Sequence, residues 1–331
     1  MATSSATGQP GRIDLHHHFF PLAPGIDTAT AEAELLRQTG WIMPPGSIPW
    51  TPRAGLAAMD RLGIEKAVLS VPQGGDVSDR ASRRSARALN ESAHRVVQEH
   101  PARFAFFAHV PVPLDPAAAI DELAYAVDEL GAVGVTLVSS YGRGDTAHYL
   151  GSDVFDPLWE ELHRRGTVVF VHGDQTPGSN RWPNPFLPLP VTEVPNETFK
   201  AAADLVTRGK KNAFSGARVI LSHSGGSTPF LASRVAGLSS YLGTPLDAEE
   251  LLEGFRSFYY ETALSGFETN LVALESFVPD DHILFGTDFP AIPVETAEWY
   301  SGNVARHFGA PSPRHDAIVR GNALRLFPGL L

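Results

Sequence analysis

The 331-residue chain contains no cysteine. That absence excludes disulfides, thiolate metal sites and thiol nucleophiles, and it suits a reducing compartment, here expected to be the cytoplasm. Basic side chains are in deficit: 26 lysines and arginines face 37 acidic residues, for a formal net charge of −11. An acidic surface disfavours nucleic acid and anionic membranes as partners and leaves a small molecule as the expected one. No apolar run approaches the roughly 20 residues of a membrane-spanning helix. The first ten residues, MATSSATGQP, lack the apolar stretch of a secretory signal and are expected to form a flexible tail. A glycine-rich nucleotide fingerprint after the first strand is missing, and so is any internal repeat.

What the chain does have is alternation. Short apolar, β-branched runs occur at 12–18, 65–72, 103–110, 132–140, 167–173, 217–224, 257–264 and 282–289. Their nearly continuous hydrophobicity is that of strands covered on both faces. Segments 53–63, 85–101, 117–131, 155–166, 197–214, 227–242, 268–277 and 295–308 carry apolar residues at helical spacing. Eight strand–helix alternations predict a single (β/α)8 TIM barrel over 11–331, with an open doubly wound sheet as the alternative. The proline-rich stretch 174–197 could be read as an interdomain hinge. Cutting there, however, leaves neither part able to close a barrel. It follows the fifth strand at the end where barrels keep their active-site loops, and is expected to be a semi-rigid loop over the pocket.

The first run ends in three histidines, "IDLHHH". Side chains on a strand alternate, so His16 and His18 share one face, with Asp14 one layer deeper, while His17 points the other way. Two imidazoles two residues apart can reach one cation. The fifth run ends "VFVHGD" with His172, the sixth "ILSHSGG" with His223, and the eighth "LFGTDFP" with Asp288. A lone histidine after a strand is usually a packed or loop residue. Four imidazoles and a carboxylate at the same end of four strands are better explained by a shared cation, because buried charges are costly unless paired or coordinated.

These four motifs resemble those of the amidohydrolase superfamily, and more narrowly its metal-dependent, non-oxidative decarboxylases, the aminocarboxymuconate-semialdehyde decarboxylase-like branch. The resemblance extends to "GNALRLF" (321–327), similar to that branch's closing helix. It implies a metal-dependent hydrolase type of barrel, with His16, His18, His172 and Asp288 as metal ligands and His223 beside the metal as an acid/base. His17 is expected to play a structural role behind the ligands. The fourth run lacks the lysine or glutamate that bridges two metals in binuclear relatives. One divalent ion is therefore expected, Zn²⁺ first, with Mn²⁺ as the alternative.

"GVTLVSSYGRG" and the segment that follows it are most similar to the 6-methylsalicylate decarboxylase subgroup. The implied reaction is decarboxylation of a small hydroxylated aromatic acid such as 6-methylsalicylate or a dihydroxybenzoate, with His223 or Asp288 delivering the proton. Spacing alone leaves open a mononuclear hydrolase or hydratase acting on a lactone, amide or alkene. Phe19, Phe20, Tyr141, Trp182 and Phe289 adjoin the motifs and are candidate pocket aromatics. The branch's carboxylate-binding arginine lies close before the "MD" of the first helix. Here the chain reads "TPRAGLAAMD", with Arg53 displaced, so Arg143 and Arg181 are equal candidates. Relatives of this kind are often dimers, and a homodimer is expected.

Overall fold

A strand with no polar side must be covered on both faces, and parallel pairing beneath a layer of helices does this. The computed structural model describes residues 11–22, 25–72, 79–142, 146–174 and 186–331. In it the eight runs form β1 (Arg12–His18), β2 (Ile64–Ser70), β3 (Phe104–Ala108), β4 (Gly134–Val138), β5 (Val168–His172), β6 (Arg218–Leu221), β7 (Tyr259–Glu261) and β8 (Ile283–Leu284). They pair in chain order, every pair parallel. Closure comes from the segment after β8, which lies along β1. Leu15 N–H donates to Phe285 O (3.1 Å), Asp288 N–H to His16 O (2.8 Å) and His18 N–H to Phe289 O (2.8 Å). The (β/α)8 barrel expected from the alternation is the fold observed.

Alternation along β5 shows how the barrel is filled. Phe170 joins Ile13, Leu15, Phe107 and Ile220 inside, while Val169 and Val171 pack outward beneath the helices. Phe107 and Phe170 stack with ring centroids 5.5 Å apart. Leu326, Phe327 and Leu330 from the chain's C-terminal end belong to the same inner cluster and plug it. The opposite end of the strands is left for polar groups.

Three differences from the sequence reading have local causes. The eighth run is regular only at Ile283–Leu284; beyond it the chain still bonds to β1 at Phe285 and Phe289, and Asp288 between them adopts a left-handed backbone (φ 64°) that interrupts the regular ladder. Helices Thr28–Thr39 and Ala248–Arg256 were not expected. The first is capped by the Asp27 side chain on Thr30 N–H and closed by left-handed Gly40. Finally, residues 189–197 of the expected proline-rich loop are the start of the helix Leu189–Thr207. Pro190 sits in its first turn, where a missing N–H costs nothing, and Pro195 gives up one interior hydrogen bond. The rest of that loop from 175 to 185, like the tail 1–10, lies outside the described residues. No helix among those described is long and apolar enough to cross a membrane.

Candidate metal centre and active site

The C-terminal strand ends bring five ionisable side chains to one place. His16 and His18 come from β1, His172 from the last residue of β5, His223 from the turn after β6, and Asp288 from the turn after β8. All five are buried. Ligand atoms of His16, His172, His223 and Asp288 lie within 4.8 Å of one another. His18 Nε2 is 3.0 Å from His16 Nε2 and 3.0 Å from Asp288 Oδ1. His16 Nε2 is 3.3 Å from the same oxygen, yet Asp288 Oδ1 has no aligned hydrogen bond among the described residues. Several imidazole nitrogens and a carboxylate oxygen crowded into one small buried volume is an arrangement a cation satisfies. The residues fit a divalent metal.

The rear contacts of the imidazoles decide which nitrogen faces the centre. His16 Nδ1 meets Glu261 Oε1 at 2.8 Å, His18 Nδ1 meets Ser70 O at 3.2 Å, and His172 Nδ1 meets Gly173 O at 2.8 Å. Each partner is an acceptor, so each Nδ1 carries a hydrogen and Nε2 is the nitrogen left to bind a cation. His223 differs. Its Nδ1 is buried without a hydrogen-bond partner among the described residues, and its Nε2 stands 3.6 Å from Asp288 Oδ2.

Electrostatics follow from burial and crowding. Burial, with neighbouring His16, His223 and His18, holds His172 well below the ordinary imidazole value, and burial lowers His18 as well. Both are neutral donors near pH 7. Burial also works against a charge on His16, but Glu261 and Asp288 outweigh it and raise its pKa to about 10. Asp288 loses solvation too, yet the attraction of His16 holds its carboxyl well below the usual range.

Glu261 is the group that sequence reading missed. It ends β7 just as His172 ends β5, an ionisable residue closing an apolar run ("SFYYETAL"), and that is the signal that could have found it. The chain after β8 makes room for it. A Cβ on Gly286 would collide with Glu261 Oε2 and lie 2.8 Å from His16 Cβ. His109, after β3, was also overlooked; its Nε2 accepts the Val71 N–H at 3.1 Å, and burial and nearby His18 lower its pKa to about 3.

Above the centre opens a cavity of about 350 Å³. His18, His172, His223 and Asp288 form its floor, and Phe20, Leu35, Trp41, Met43, Val194 and Ile292 are among its apolar walls. Ser265, Thr296 and Tyr300 contribute hydroxyl-bearing side chains. The Phe20 ring lies 5.6 Å from that of His18.

Several expected pocket residues sit elsewhere. Phe19 points away from the cavity, as alternation requires, and packs in the core against Trp50 at 6.1 Å. Phe289 packs on His17 at 5.3 Å behind β1. Tyr141 is buried in the core, its hydroxyl accepting the Val138 N–H at 3.1 Å. Arg53 is exposed on the helix Pro52–Leu62 and does not line the cavity, and none of the described lining residues is a lysine or arginine. Arg143, Arg181 and Trp182 lie outside the described residues. His17 Nδ1 meets Asp14 Oδ2 at 3.2 Å, away from the centre. A register shift in the β1–β2 pairing between Asp14 and His17 lets Asp14 turn to that contact instead of lying beneath His16.

Residues 13–329 match the amidohydrolase family. The chain belongs to that family. This amidohydrolase is 37% identical over 328 residues to a 6-methylsalicylic acid decarboxylase of Penicillium expansum, an alignment covering 96% of this chain and 97% of the relative. Its fold is shared with a 2,6-dihydroxybenzoate decarboxylase crystallised with 2,6-dihydroxybenzoate (TM-score 0.76, 24% identity, 96% of this chain and 99% of that one). It is also shared with a dihydroxybenzoic acid decarboxylase from Polaromonas sp. JS666 holding manganese and 2-nitroresorcinol (TM-score 0.77, 23% identity, 96% of each chain).

Proposed function

We propose that this amidohydrolase is a metal-dependent, non-oxidative decarboxylase of a small hydroxylated aromatic carboxylic acid, of the 6-methylsalicylate type. The observation that carries this reading is a set of three imidazoles tethered at Nδ1, with His16 and His18 Nε2 at 3.3 and 3.0 Å from Asp288 Oδ1 and His172 in the same cluster, at the base of an apolar cavity. The 6-methylsalicylic acid decarboxylase relative supports the reaction class.

His16, His18, His172 and Asp288 would hold one divalent cation. Three nitrogens and a carboxylate oxygen suit Zn²⁺, and Mn²⁺ where substrate oxygens complete the shell, as the manganese-bound Polaromonas neighbour also suggests. A cation held there would supply Lewis-acid chemistry, drawing electron density from the substrate through its oxygens. The remaining work belongs to the chain. Phe20, Leu35, Met43 and Ile292 enclose the ring and keep water from it. A proton is added to the ring carbon that bears the carboxylate. The carbon–carbon bond then breaks, its electron pair restores aromaticity, and CO₂ leaves. Asp288 is held well below the usual carboxyl range and carries no proton near neutrality. His223, on the cavity floor beside Asp288, is the proton donor in this reading.

The test is turnover with accounting of products. Full-length protein loaded with Zn²⁺ or Mn²⁺ is given 6-methylsalicylate, 2,3-dihydroxybenzoate and the resorcylates. One CO₂ per phenol formed, with one deuterium at the vacated carbon in D₂O, is the expected result. Silence on all of them, or hydrolysis of an aromatic lactone offered in parallel with no CO₂ from the acids, overturns the proposal.

A further inference from the structure

We propose that Glu261 is the positioning residue of this centre, setting the direction of His16 and the placement of His223 through a single carboxylate; the inference rests on the metal-centre reading above. Glu261 is completely buried, and His16 is its only ion-pair partner among the described residues. A buried carboxylate without a lysine or arginine is costly unless strong donors surround it. Three donors do. Oε1 accepts from His16 Nδ1 at 2.8 Å and from the His223 backbone N–H at 2.6 Å, and Oε2 accepts the Ala263 backbone N–H at 2.6 Å.

Each contact has a consequence. The bond to His16 Nδ1 fixes the tautomer whose Nε2 lone pair faces His18 and Asp288. The bond to His223 N–H anchors a turn that is otherwise unfavourable, since His223 and Ser224 both have φ of 54°. One side chain on β7 thus holds two members of the centre that come from β1 and the turn after β6. The site accepts only an acceptor: all three neighbours present N–H. Glutamine has the same shape but no charge: with its oxygen at the Oε1 position its NH₂ faces the Ala263 N–H, and turned over it faces both His16 and His223, so one or two contacts are lost and the remaining ones lose their charge assistance.

The experiment uses the full chain, stripped with chelator and titrated with Zn²⁺. Wild-type protein is expected to take up one equivalent. Glu261→Gln is expected to bind about 10- to 100-fold more weakly, a usual cost for losing a group that orients a ligand. Glu261→Asp, which keeps the acceptor, is expected to bind more tightly than Glu261→Gln. Should the variants fail to fold, ¹⁵N spectra of Zn²⁺-loaded wild type serve instead, with a hydrogen-bonded Nδ1–H and a metal-bound Nε2 expected at His16. Glu261→Gln affinity within twofold of wild type, or His16 bound through Nδ1, overturns the inference and leaves the metal centre standing. A wild-type protein that takes up no metal overturns both.

Discussion

His18 Nε2 lies 3.0 Å from Asp288 Oδ1, so the first strand and the turn after the last meet where the barrel closes. His18 Nδ1 is held by Ser70 O, whereas His223 Nδ1 has no partner among the described residues, which fits the different jobs proposed for the two histidines. His18→Ala should lose the metal under dialysis. His223→Ala should keep about one equivalent while kcat falls by about 10²- to 10⁴-fold, the range for a missing general acid. Metal analysis alongside kinetics checks both, and loss of metal in His223→Ala would make it a ligand.

Metal uptake should release a proton. The pKa of His16 is raised to about 10 by Glu261 and Asp288 against the effect of burial, so near pH 7 the metal-free ring is protonated. A cation must displace that proton, and displacement becomes harder as pH falls. Affinity should therefore rise with pH, by about tenfold per unit between pH 6 and 9. Titration calorimetry in two buffers of different ionisation enthalpy reads the released proton directly. A buffer-independent heat would contradict the prediction.

Phe19 and Phe20 are neighbours in sequence and opposites in role. Phe19→Ala removes a core side chain packed on Trp50 and should cost about 3–5 kcal/mol of stability. Phe20→Ala widens the cavity and should raise KM by roughly tenfold or more with little change in melting temperature. Thermal unfolding and steady-state kinetics separate the two.

Gly286→Ala should damage the centre from a position that offers it no ligand. The added methyl would meet Glu261 Oε2 and His16 Cβ, forcing apart the pair that orients His16. A drop of about tenfold or more in metal affinity is expected, compared with wild type by chelator competition.

Much of this was legible in the sequence because a barrel writes its site at strand ends. His16, His18, His172, His223 and Asp288 each follow a short apolar run, and parallel order alone carries them to one rim. Alternation also separated His17 from its neighbours. Glu261 escaped because its strand is three residues long and its carboxylate, unlike a histidine, carries no metal-ligand signature of its own. Phe19, Phe289 and Tyr141 were misplaced because adjacency to a motif does not reveal which face a side chain takes. Leu35, Trp41 and Met43 enter the cavity from the excursion between β1 and β2, whose path depends on tertiary contacts such as Trp41 Nε1–H to Ala291 O at 2.9 Å.

The most direct test of the shared-cation claim is an anomalous difference map from crystals of the Zn²⁺- or Mn²⁺-loaded protein. A single peak about 2.0–2.2 Å from the Nε2 atoms of His16, His18 and His172 and from an oxygen of Asp288 is the predicted result. No peak at that position, or a peak that leaves two of those four side chains without contact, would contradict it.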